Sequence, residues 1–114
     1  MLLYIFSKLL NQKNMKNLTE ATQFAQKLII KKSVTPIDDG AIEILKSKLS
    51  KIGFINTDLP FGSKKKNDLI LNLFSFKKSN HPKSKTLCFA GHTDVVPEGN
   101  TGKWKFDPFL GKVS

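Results

Sequence analysis

The chain offers two imidazoles, one thiol and nine carboxylates for metal, acid–base or nucleophilic chemistry. One place sets them at a telling spacing: His92-Thr93-Asp94. In an extended segment, residues two apart project to the same side, so His92 and Asp94 can point together. A metal-binding histidine gives one ring nitrogen to the metal, and its other N–H usually donates to a carboxylate that fixes the ring. A carboxylate two residues from a histidine therefore suits a ligand. The triplet alone arises often by chance, and its setting has to add weight.

That setting is an apolar run, residues 86–91, ending at the triplet. It is expected to be a buried strand, and an open α/β sheet places its binding crevice beyond the carboxyl ends of its strands. Residues 68–76 form a second apolar run, too apolar on both parities for one exposed face, and are expected to be a central strand. Between the two strands lies a lysine-rich turn, 77–84, containing Asn80-His81-Pro82.

Two helices must cover such a sheet. The first is expected near 17–32, where Leu18, Ala21, Ala25 and Leu28 recur at spacings of three and four. Asn17 or Thr19 can cap its start, and Lys27, Lys31 and Lys32 suit the negative end of its dipole. The second is expected near 39–52, with Asp38 or Asp39 as cap, Ile42, Leu45, Leu49 and Ile52 on one face, and Gly53 as terminator. The pattern gives an α/β class, two helices packed on a sheet. Residues 1–14 carry no motif and no signal-peptide pattern, and are expected to be an N-terminal extension outside the core.

Composition limits the alternatives. The 114 residues, 39% hydrophobic and 25% charged, suit one small domain of the soluble globular type. No apolar run approaches the roughly 20 residues of a membrane span. The single Cys88 allows no internal disulfide, which suits a reducing cytoplasm. A net charge of +10 invites a nucleic-acid reading, but all 19 basic residues are lysine. Phosphate and base-edge recognition favour the bidentate guanidinium, which is absent here. The lysines accompany many isoleucines and asparagines, as AT-biased codons would produce. Nucleic acid is therefore not the expected partner.

The remaining candidates have plainer readings. Cys88, inside its apolar run, is expected to be a small buried side chain. His81 is expected to be a solvated turn residue, and Lys64–Lys66 a solvated loop. Trp104, Phe106 and Phe109 are expected to pack their loop against the core.

Taken together, Phe89-Ala90-Gly91-His92-Thr93-Asp94-Val95-Val96-Pro97, with Trp104 and Asp107-Pro108-Phe109 at this spacing, resembles the first metal motif of the zinc aminoacylase and carboxypeptidase family. Ser33-Val34-Thr35-Pro36, followed by an acidic pair and a helix, is similar to the opening of such enzymes. The resemblance covers residues 15–114, which it implies are a truncated catalytic domain of the two-zinc exopeptidase-like fold, with a mixed sheet. It implies His92 as a zinc ligand and Asp94 as the acid that orients it. It also implies amide hydrolysis on a small-molecule substrate, two zinc ions in the complete enzyme with cobalt able to replace them, and a homodimer. Sister deacylases such as acetylornithine deacetylase open with similar residues. The family's bridging aspartate, glutamate pair, further acidic ligand and distant histidine have no motif before Ser114. One histidine and one supporting acid do not make a four-coordinate zinc site. The chain alone is thus expected to bind zinc weakly and to be inactive.

Overall fold

A computed structural model describes residues 19–112. Helix α1 (Glu20–Ile29) starts at Thr19, whose hydroxyl accepts the Thr22 amide at 3.2 Å. It is shorter than the 17–32 expected. Beyond it the Lys32 amide is taken by Asp39 Oδ2 at 2.8 Å rather than by a helical carbonyl. Residues 17 and 18, like the extension 1–14, lie outside the described residues.

Helix α2 (Ala41–Lys51) is entered through Gly40 in the left-handed conformation. Asp38 acts as its cap, accepting from the Gly40 and Ile42 amides with one carboxylate oxygen each. The helix ends as its glycine predicts. Gly53 has φ 87°, its amide donates to Ser50 O, and the Phe54 amide donates to Leu49 O. This paired closure satisfies carbonyls that the helix itself cannot.

The sheet differs from the one expected. It is a two-stranded antiparallel hairpin of β1 (Ile55–Phe61) and β2 (Ile70–Phe76), with Ile55 opposite Phe76 and Phe61 opposite Ile70. Strand β1 escaped the sequence reading because its covered side is polar. Asn56 and Asp58 lie there, and Asn56 is bonded to Ser50 Oγ at 2.8 Å and Ser75 Oγ at 2.6 Å, while Lys46 Nζ reaches Asp58 at 3.0 Å. The hairpin turns at Gly62 (φ 94°), where a Cβ would stand 2.3 Å from the Asp68 carbonyl oxygen.

Helix α2 packs on both strands and α1 packs on α2. Lys48 pairs with Glu20 across the helices. Leu71, Leu73 and Ser75 of β2 are half-buried beneath this layer, with Ala41 and Ile42 fully buried. The opposite face, with Ile55, Phe61, Phe74 and Phe76, is exposed. Strand β2 is therefore covered on one side, not on both.

Residues 86–91 do not form the expected buried strand. They pair with no strand among the described residues, and Leu87 and Phe89 are 77% and 88% exposed. Cys88 is correspondingly exposed, not buried. An apolar run signals a need for cover, but it cannot supply that cover. Among the described residues the sheet is antiparallel rather than mixed, and the one parallel feature is an isolated bridge between Val34 and Val95.

Candidate functional site

The bridge between Val34 and Val95 brings the 33–35 segment beside the His92 triplet. Ser33 is 2% exposed, and its hydroxyl donates to Thr93 O at 2.7 Å. Its own carbonyl accepts the Val95 amide at 3.0 Å. The backbone around Asp94 is thus held from both sides.

His92 and Asp94 meet as their spacing requires. His92 Nδ1 lies 3.1 Å from Asp94 Oδ1 and 3.0 Å from the Asp94 carbonyl oxygen. Both are acceptors, so the ring proton belongs on Nδ1, leaving the Nε2 lone pair for another partner. Asp94 Oδ2 accepts from Thr35 Oγ1 at 2.8 Å. The Thr35 hydroxyl, with lesser help from the Asp94 backbone and His92, holds this carboxyl below its usual value against an opposing push from desolvation. The carboxylate form is the one an imidazole N–H needs.

These groups line a cleft of ≈ 260 Å³ between the 33–38 segment, β2 and the triplet. Asp38, the other carboxylate on the cleft, spends both oxygens on the α2 amides. Among the described residues, no group of three histidine, cysteine or acidic side chains gathers as a metal cage. The donor set fits one histidine ligand with its orienting acid and stops short of the three protein ligands that zinc takes.

The other candidates fall away from the cleft. His81 is exposed in a turn, its Nδ1 accepting the Lys83 amide at 3.4 Å. Lys64–Lys66 forms a single 3₁₀ turn. Trp104 does not pack on the core; it is half-exposed and its Nε1–H donates to Glu98 O at 2.9 Å, closing its own loop. Phe106 is also exposed, with Lys112 Nζ 4.0 Å from its ring centroid. Phe109 alone is half-buried, under Lys32 Nζ at 5.1 Å. Asp107 accepts the Phe109 amide and takes no part in the cleft. Among the described residues, no helix is long and apolar enough to cross a membrane.

Sequence reasoning singled out His92 and Asp94 but gave Thr35 and Ser33 no role in the site. Their partners are 59 and 60 residues away, and such pairing leaves no local trace.

No family model matches the chain. Curated relatives do. It is 47% identical over 89 residues to a succinyl-diaminopimelate desuccinylase of Ehrlichia chaffeensis, covering 78% of this chain and 22% of that protein. It is 46% identical over 91 residues to the enzyme of that name in Ehrlichia canis, covering 80% of this chain and 23% of that one. The corresponding protein of Hahella chejuensis is 41% identical over 97 residues, 85% of this chain and 23% of the relative. The chain spans less than a quarter of the length of the relatives it matches.

Proposed function

We propose that this chain, a relative of the succinyl-diaminopimelate desuccinylases over about four fifths of its length, supplies the first metal-ligand motif of such an enzyme. The reaction is hydrolysis of N-succinyl-LL-2,6-diaminopimelate to succinate and LL-2,6-diaminopimelate. Helices α1 and α2 and the hairpin are then part of a two-zinc exopeptidase-like catalytic domain.

The observation that carries the reading is the His92–Asp94 pair, with Nδ1 held by a carboxylate and Nε2 without a protein partner among the described residues. His92 Nε2 would hold zinc, or cobalt in its place. When bound, the metal supplies polarisation of the scissile carbonyl and an acidified water. The chain's own part is narrower. Asp94 fixes the imidazole and raises its basicity, Ser33 fixes the backbone that carries both, and the cleft leaves space beside them. Asp38 cannot serve as general base while capping α2. The remaining ligands, and the base that returns a proton to the leaving amine, belong to the length of the relatives that this chain does not span.

A chimera tests this. The chain replaces the matching segment of the Ehrlichia chaffeensis enzyme, and succinate release is followed in added zinc. Activity is expected in the chimera and its loss in the His92→Ala variant. Asp94→Asn should lower metal affinity or activity by about 10–100-fold. A folded chimera that binds zinc equally with and without His92 would sink the proposal.

A further inference from the structure

The site contains a second relay. Thr35 Oγ1 donates to one oxygen of Asp94 at 2.8 Å, and the other oxygen lies 3.1 Å from His92 Nδ1. A carboxylate at the end of a short side chain turns freely about its last torsion. Both Asp94 and His92 face solvent, where water competes for every donor and acceptor. A fixed donor on one oxygen removes that freedom and aims the other. The donor sits one residue beyond the Val34–Val95 bridge, in a segment fixed by Ser33, which is buried and bonded to the backbone on both sides of Asp94.

We infer that Thr35 is a positioning residue: its hydroxyl orients Asp94 so that the His92 proton is held on Nδ1 and the Nε2 lone pair is kept free. The purpose of that arrangement rests on the reading of His92 as a ligand, but the arrangement itself is measurable without metal. His81 provides the contrast. Its Nδ1 accepts from the Lys83 amide, which puts its proton on Nε2. The chain's two histidines should carry opposite tautomers. The Asp94 carbonyl oxygen also lies 3.0 Å from His92 Nδ1, so losing Thr35 weakens the preference without abolishing it.

The experiment uses the full, metal-free, ¹⁵N-labelled chain at about pH 8, above the ordinary histidine range. Long-range ¹H–¹⁵N correlations report the tautomer of each ring. His92 is expected mainly as Nδ1–H and His81 as Nε2–H. Thr35→Val keeps the shape and removes the donor. It should move the His92 ring shifts toward the His81 pattern, leave His81 unmoved and leave the chain folded, and Thr35→Ser should restore His92. The inference is overturned if wild-type His92 already shows the His81 pattern, if Thr35→Val leaves its ring shifts in place, or if Thr35→Ser behaves like Thr35→Val. It is also overturned if Thr35→Val unfolds the chain, because Thr35 would then be a structural residue. None of these results bears on whether His92 binds zinc, which the chimera decides separately.

Discussion

Residues 19–76 and residues 77–112 are built on different principles. The first region closes its own backbone hydrogen bonds in two helices and a hairpin, with α2 laid on the strands. The second has one short 3₁₀ turn, two hydrogen-bonded turns and otherwise extended chain, with Leu87, Phe89 and Val96 exposed. It is moored to the first at a few points: Ser33 with Thr93 and Val95, Thr35 with Asp94, Gln26 with Gly111, and Lys32 over Phe109. His92 and Asp94 lie in the moored region, but the groups that hold them lie in the self-sufficient one. The chemistry of the site is thus only as ordered as the seam.

The contrast can be broken at its base. Ile42 is 6% exposed on α2 and lines the same cleft. Ile42→Ala should cost about 2–5 kcal/mol by lost transfer energy and cavity. Thermal unfolding would then show both regions melting together, since the second has no core to survive on. Gly62→Ala attacks the hairpin alone. With φ 94° and a Cβ 2.3 Å from backbone oxygen, it should cost about 1–3 kcal/mol, seen as an earlier melt with the tautomer of His92 unchanged.

Ser33→Ala sharpens the contrast by cutting a mooring. Loss of its bond to Thr93 O should cost about 0.5–1.5 kcal/mol. Hydrogen exchange is expected to quicken at the Val95 amide while the β1–β2 amides keep their protection. Equal quickening everywhere would mean that the two regions are one unit. The smallest effect is on the helix pair. Lys48, by hydrogen bond and then by charge, holds Glu20 below its usual carboxyl value. A lowered carboxyl adds stability above its unfolded value and loses it as pH falls through the folded one. Acidification through the ordinary glutamate range and below should lower the melting temperature of wild type slightly more than that of Glu20→Gln. The pair is exposed, so salt should shrink the difference.

What the sequence could and could not disclose follows the same division. Helical spacing and Gly53 located α1 and α2, because burial on one face is periodic and chain termination is local. Strand β1 was hidden because Asn56 and Asp58 are satisfied by Ser50, Ser75 and Lys46, a polar solution that hydropathy does not register. The apolar run before His92 is expected to be buried because Leu87 and Phe89 are apolar, yet both are exposed. The described residues do not contain a cover for them. The two site residues named from the triplet do meet in space. Thr35 could not be found that way, since its value lies in a partner 59 residues on.

The exposure of Cys88 has a practical consequence. It is the sole thiol in the chain, four residues before His92, and its side chain is open to solvent. A maleimide or nitroxide would therefore attach at one address without disturbing a core. A nitroxide there should broaden the resonances of nearby groups with a steep dependence on separation. The moored segment thus carries its own gauge of how closely it stays docked.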